Sequence, residues 1–375
     1  MLSFELTNDL NDRIRKVNNL CIDLYSDVKS LNEDELRAIA KYARISTIGA
    51  STRIENALLT NPEIDWIDTI LTKDGKTTAF NQHKNLIEDK LSKDRERSIE
   101  EVAGCRNMLL SVINNHESLK PLRETDIRSL HAELMTPFLK SSPYIGNYKT
   151  QSNVVVETNK VTGSIREVFK TADAGVMTQI GMRYLVDWYN DAISQEAWSI
   201  PVVCEFVYRF LAIHPFQDGN GRLSRGLFML GMFQSRDVAL SSIAPLISID
   251  RQIEKHKEEY YFVLNSCSQG NYSEDPSQYK IEYFLRFILK MIEKSISDIG
   301  IYRKKYHATL DLSQSAVDIL KCFKEYPELR LTTKIIINHT DLPRRTVVHN
   351  LNILIDNNLI QRFGKGAGVR YQLTF

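Results

Sequence analysis

The stretch Ile200 to Ile213 reads IPVVCEFVYRFLAI, strongly apolar, and it is followed by His214, by Pro215 and then by two glycines, Gly219 and Gly221. Such a run must be buried, and Pro201 one residue in suits the first turn of a helix. Pro215 disfavours the helical region for His214, so the helix is expected to end there and hold the imidazole at a boundary. Gly219, Asn220 and Gly221 form a short permissive loop, and from Arg222 to Ser235 an apolar helical pattern resumes through Leu223, Leu227, Leu230 and Met232. The sequence therefore predicts a buried helix, a glycine loop and a second helix in succession.

The junction, His214 to Arg225, reads HPFQDGNGRLSR. Backbone N–H groups at the start of the second helix lack intrahelical partners, the helix dipole adds partial positive charge, and glycines let phosphate oxygens approach the main chain. Arg222 and Arg225, spaced i, i+3, share a helix face where two guanidinium forks could hold the outer phosphates of a nucleoside triphosphate. Asp218 precedes this cradle, and a carboxylate facing phosphates needs a divalent cation between them, which implies Mg²⁺. His214 is the candidate general base for a hydroxyl. Singly, each residue has an ordinary explanation, a capping histidine or a solvated arginine; together within one short loop they share a single one. Phe216 stands apart as an anchor that packs the loop onto the core.

The run fits H-x-F-x-D/E-G-N-G-R-x-x-R throughout, and in this it resembles the signature of the Fic family (filamentation induced by cAMP), whose members mostly transfer AMP from ATP to protein hydroxyls. The resemblance implies that His214 deprotonates a Ser, Thr or Tyr hydroxyl that attacks the α-phosphate, with Mg²⁺-pyrophosphate leaving. It implies too that Asp218 holds the metal, that Gly219, Asn220 and Gly221 cradle the phosphates, and that Arg222 and Arg225 hold the tail of ATP. Gly221 points to nucleotidyl transfer, since the branch that phosphorylates its target carries lysine there.

Ser51 to Asn56 reads STRIEN and resembles the family's inhibitory pattern S/T-x-x-x-E-G/N, on a segment from Glu33 to Leu59 with a helical pattern. Ser51 and Glu55 lie i, i+4 on one face. The resemblance implies that Glu55 pairs with Arg225 and removes a ligand of the γ-phosphate, an autoinhibited state. It also raises removal of AMP, with Glu55 assisting water, as a second activity.

Asn153–Glu157 and Ser164–Phe169 predict a hairpin joined by 158–163, which the resemblance makes a flap over the active site that clamps a target segment. The following KTADAG lacks the proline-rich stretch many members carry. Tyr260 and Tyr261 open YYFVL, similar to the family's segment near adenine, which makes Tyr261 the implied nucleotide contact.

Net charge is +1, so no global field favours nucleic acid or membrane, and no apolar run reaches 18 residues. The amino terminus does not read as a secretory signal, and five dispersed cysteines without C-x-x-C spacing suit reduced thiols; a cytoplasmic protein is expected. Helices are expected over 9–29, 33–59, 62–71, 80–115, 124–137, 173–194, 200–213, 221–235, 250–268 and 277–306. After a boundary near 308–313, three further helices (315–325, 332–339, 343–357) and a glycine-tipped hairpin (359–363, 369–373) predict a winged helix. Its third helix turns Arg344, Arg345, His349 and Asn352 outward, with Lys365 at the wing tip, a set suited to DNA or to a protein partner.

The expectation is a mainly α protein: an N-terminal helical region (1–115) carrying the inhibitory motif, a Fic-type helical bundle with a β-hairpin flap (116–308), and a C-terminal winged helix-turn-helix domain (309–375). The expected function is an autoinhibited protein adenylyltransferase using ATP and Mg²⁺ on another protein or on itself, with room for a homo-oligomer; the alternative is a DNA-binding regulator whose Fic unit senses nucleotide.

Overall fold

The structure, a computed structural model, describes residues 1–73, 76–78, 80–90, 96–138, 143–158, 165–326 and 329–374. Helices α1 (Asn8–Lys29), α2 (Glu33–Ile54), α3 (Asn61–Ile70), α4 (Phe80–Lys90), α5 (Glu96–Asn115) and α6 (Glu124–Met135) come first, with a two-residue hairpin of β1 (Thr72–Lys73) and β2 (Lys76–Thr77) after α3. Then follow β3 (Val154–Thr158), β4 (Ile165–Lys170), α7 (Val176–Gln195), α8 (Ser199–Ile213), α9 (Asn220–Phe233), α10 (Val238–Ile243), α11 (Ile249–Lys255), α12 (Lys257–Ser268) and α13 (Ile281–Leu310). The C-terminal part holds α14 (Gln314–Glu325), α15 (Thr333–Thr340), α16 (Arg344–Asp356), β5 (Ile360–Phe363) and β6 (Arg370–Leu373).

The apolar run that the sequence puts in α8 is buried on nearly every side, with α7, α9 and α13 packed around it. Its two charges meet each other: Arg209 Nη1 lies 3.2 Å from Glu205 Oε1, and Glu205 also accepts the Ser3 N–H at 3.0 Å. Helix α2 runs between α5, α11 and α13, and from Ile45 to Thr52 every residue is buried. At its start Asn32 caps Glu35 N at 2.8 Å, and Glu35 accepts Arg303 Nε at 2.9 Å and His307 Nε2 at 3.2 Å from the far end of α13. Arg303, with burial opposing, holds the Glu35 carboxyl below the usual carboxylate range.

Several boundaries differ from the sequence reading. Helix α2 stops at Ile54 rather than residue 59, because Asn56 takes a left-handed conformation (φ 72°) and its N–H returns to Arg53 O at 3.0 Å. The helix expected over 80–115 is two, α4 and α5, with residues 91–95 outside the described set. The helix expected over 250–268 is broken at His256 (φ −120°, ψ 34°) into α11 and α12, and α10 was not anticipated. Strands β3 and β4 pair antiparallel with a register shift between Val155 and Val156; the expected connection falls largely on residues 159–164, outside the described residues.

Buried apolar side chains gather in two clusters, one from Leu10 to Tyr302 and one from Ala316 to Tyr371. The second is built by α14, α15, α16 and the β5–β6 hairpin, in register Ile360↔Leu373 to Phe363↔Arg370, with Leu331 bridging Tyr371 on the other edge. The five cysteines are buried and free. No helix among the described residues is long and apolar enough to cross a membrane.

Candidate active site

Helix α8 ends on His214 itself, which takes the left-handed conformation (φ 52°, ψ 60°) that Pro215 leaves open to it, while its N–H still bonds Phe210 O at 2.9 Å. Nδ1 lies 3.3 Å from Leu211 O. A carbonyl can only accept, so Nδ1 carries the proton and Nε2 keeps its lone pair. Burial pushes the imidazole down to about 4; its bond to Leu211 opposes this, the ammonium of Lys149 reinforces it, and the charges of Glu55 and Asp218 pull back. At neutral pH it is a free base.

The turn carrying His214 is held from a segment to which sequence reasoning assigned no role. Lys149 N–H donates to Pro215 O at 2.8 Å, and Lys149 Nζ donates to Ile213 O at 3.0 Å, Thr171 Oγ1 at 2.9 Å and Asn153 Oδ1 at 2.9 Å. Asn153 Nδ2 donates to Phe216 O at 3.0 Å. Phe216, fully buried, stacks on His131 with centroids 3.8 Å apart, as its anchoring role requires. His131 Nδ1 accepts the Gly146 N–H at 3.0 Å, which fixes the proton on Nε2 and lets it donate to Asp218 O at 3.0 Å. Burial pushes His131 down to about 4.

Gly219 caps α9 with φ +82°, a conformation that favours glycine. The first intrahelical bond is Leu223 N to Gly219 O at 2.9 Å, so the N–H groups of Asn220, Gly221 and Arg222 face outward from the helix start. Asn220 offers its backbone only: its side chain closes the loop, with Oδ1 accepting Phe216 N at 3.0 Å and Nδ2 donating to Phe216 O at 2.7 Å. Arg222 is buried under Phe138 and reaches Asp218 Oδ1 with Nη2 at 3.3 Å, while its Nε and Nη1 have no partner among the described residues. Asp218 is half exposed, and its Oδ2 makes no hydrogen bond among the described residues.

Arg225 is brought to the end of α2. Its Nε donates to Ser51 Oγ at 2.8 Å, and Nη2 donates to Ser51 O at 2.8 Å and to Glu55 Oε1 at 2.9 Å. Glu55 is the C-cap of α2, and its carboxylate overlies Gly221, where an added Cβ would collide with Oε1. A side chain here would have to displace the Glu55 carboxylate, while the backbone conformation makes no demand for glycine. Asp250, which sequence reasoning did not single out, lies behind, with Oδ2 at 3.8 Å from Arg225 Nε. Burial raises the Asp250 carboxyl to about 6, with Arg225 and Ser51 opposing. On Arg225 burial works against the charge, but Glu55, Tyr260 and Asp250 outweigh it and its pKa is raised. Tyr260 is the buried member of the aromatic pair; Tyr261 is 41% exposed, with ring centroids 5.4 Å apart. Burial raises the Tyr261 hydroxyl pKa, with the charge of Glu55 adding and that of Arg225 opposing.

Residues 121–230 match the Fic/DOC family. A curated relative, the protein adenylyltransferase Fic of Drosophila willistoni, is 25% identical over 291 residues, covering 76% of this chain and 50% of that protein. The chain thus spans about half the length of that relative. Among solved structures, a Fic family protein from Desulfovibrio desulfuricans aligns with a TM-score of 0.55 at 20% identity over 100% of this chain and 98% of that one. A Fic domain containing signaling protein from Bacteroides thetaiotaomicron aligns with a TM-score of 0.56 at 18% identity over 78% and 98%. The histidine on its left-handed turn, the glycine-capped helix start and the two buried arginines all lie within residues 121–230, and it is this segment that belongs to the Fic/DOC family.

Proposed function

We propose that the protein transfers AMP from ATP to a Ser, Thr or Tyr hydroxyl of a protein. The observation that carries this reading is the placement of His214, with Nε2 free to accept a proton, beside a helix start whose Arg222 has two buried, unpartnered N–H donors. Buried donors left without acceptors are costly, and phosphate oxygens would satisfy them. The target hydroxyl oxygen bonds to the α-phosphorus, the bond from that phosphorus to the bridging oxygen breaks, the hydroxyl proton passes to His214 Nε2, and pyrophosphate leaves. The name of the Drosophila willistoni relative supports the same reaction.

Asp218 suits a divalent ion through Oδ2, and no cluster of three or more His, Cys, Asp or Glu ligands occurs among the described residues. One carboxylate with phosphate oxygens is the usual Mg²⁺ arrangement, and the ion would neutralise charge on the departing pyrophosphate. Tyr261 would flank the nucleotide. Glu55 would restrain the reaction by keeping its carboxylate on the helix start and on Arg225, the guanidinium that the triphosphate needs.

Labelled ATP and Mg²⁺ test the reading: Glu55→Gly should transfer label to protein, and Glu55→Gly with His214→Ala should not. Absence of label from the first variant under conditions where it binds ATP sinks the assignment.

The C-terminal unit favours a second role beside this one, contact with DNA through a winged helix. Arg344, Arg345 and His349 on the first half of α16 and Lys365 on the hairpin tip are exposed, and none forms an ion pair among the described residues. Duplex binding that weakens steeply with salt, and less steeply in Arg344→Ala/Arg345→Ala, supports that role; binding that no salt concentration permits removes it. A regulator that senses nucleotide and transfers nothing would bind duplex and leave every protein unlabelled.

A further inference from the structure

The left-handed conformation of His214 is rare for a residue with a Cβ, and it persists only where its surroundings over-determine it. Here they do so from one side. The carbonyls before and after it, Ile213 O and Pro215 O, both bond to Lys149, one through Nζ and the other through the main-chain N–H. The next carbonyl, Phe216 O, bonds to Asn153, whose own Oδ1 is held by Lys149 Nζ. One lysine therefore holds the carbonyls of both residues flanking the base directly, and that of Phe216 through Asn153.

That lysine is buried to 2% exposure, and no carboxylate lies within ion-pair distance of its ammonium among the described residues. Its three donors meet three neutral oxygens, so its hydrogen bonding is complete. An asparagine or glutamine has a shorter reach and two amide donors for three acceptors, so neither could complete the set. The charged groups that bear on the His214 imidazole are Lys149, Glu55 from the end of α2 and Asp218 from the loop, and the carboxylate bearing on Lys149 is Asp173.

We propose that Lys149 is a positioning residue for His214: bonded to Ile213 O and Pro215 O directly and to Phe216 O through Asn153, it locks the left-handed turn on which the imidazole stands. The value of this arrangement rests on His214 acting as the base in the transfer proposed above. Burial brings the ammonium itself down to about 8, with Asp173 opposing, so it remains largely charged at neutral pH. The sequence could not show this, because Lys149 is distant from the signature and carries no motif of its own.

The test uses the full chain with labelled histidine and no nucleotide, following the His214 ring by NMR through a pH titration, with His214→Ala to assign the signal. Lys149→Met should raise the midpoint by about one pH unit or more, and Lys149→Arg should leave it low. In the Glu55→Gly background Lys149→Met should lower kcat about tenfold or more and change KM for ATP less than about twofold, with Lys149→Arg recovering most of kcat. Should Lys149→Met fail to fold, Lys149→Gln, whose shorter amide has two donors for three acceptors, is read in the same titration with the same expected rise. A folded Met or Gln variant whose His214 midpoint stays where it was overturns the proposal, as does an Arg variant that behaves like Met. A midpoint that moves as expected in a protein that transfers no label leaves the role of Lys149 standing and removes the adenylyltransferase reading alone.

Discussion

Glu55 Oε1 occupies the space that a side chain on Gly221 would fill, and it does so while bonded to Arg225 Nη2 at 2.9 Å. One carboxylate thus covers the helix start and engages an arginine of the cradle. Removing it exposes both to a triphosphate. Glu55→Gly should raise ATP affinity about tenfold or more, near 1.4 kcal/mol, read by calorimetry; equal affinities would mean that the contact does not compete with nucleotide.

Arg225→Ala should weaken ATP binding by about tenfold to a hundredfold, as expected for loss of a buried charged hydrogen bond. It also leaves Asp250 without its buried countercharge, so the unfolding midpoint should fall as well. Asp250→Asn is the informative partner variant: it should recover part of the stability and none of the affinity. ATP affinity untouched by Arg225→Ala would remove this residue from the nucleotide site.

The pH profile of transfer by Glu55→Gly should show no acid limb near 6.5, the ordinary histidine value. The sign follows from burial: a depressed pKa keeps the imidazole neutral to lower pH, and loss of the Glu55 charge, which favours the protonated form, depresses it further. Rates of the Glu55→Gly variant measured between pH 5 and 8 should be nearly flat in this respect. A drop centred near 6.5 contradicts the described environment of His214.

His131 gives a stability test. Its folded-state pKa of about 4 lies below the unfolded value of roughly 6.5, so the unfolded chain binds more protons between these values and stability is lost as pH falls through that window. His131→Asn should lower stability by about 2 kcal/mol or more through loss of the Phe216 stack and the bond to Asp218 O, and should flatten this pH dependence, as read by thermal unfolding. A variant with the slope of the parent protein would place the titration elsewhere.

What the sequence disclosed was what chain neighbours do together. His214 to Arg225 was legible because base, loop and arginines follow one another within a single helix junction, and Pro215 dictates where that junction lies. Ser51 and Glu55 were legible as a pair one helical turn apart. The reading carried the helix past Glu55 because the apolar pattern continues to Leu59, whereas the left-handed Asn56 ends it; that Asn after Glu was the local signal for a helix stop. Lys149, His131, Asn153 and Asp250 were not legible. Each acts through a partner tens of residues away, and neither a polar residue type nor its spacing reveals which carbonyl or guanidinium it will meet after folding. Asn220 shows the complementary difficulty: the loop requires it, but its side chain is consumed in holding Phe216.

Helix α2 has 22 residues, a stiff strut of roughly 33 Å at 1.5 Å per residue. Glu35 bolts its first turn to Arg303 and His307, and its buried middle cannot slide without unpacking the core. Withdrawing the carboxylate from Gly221 therefore falls to the partly exposed Glu55 side chain at the tip, a local rotation that leaves the strut in place.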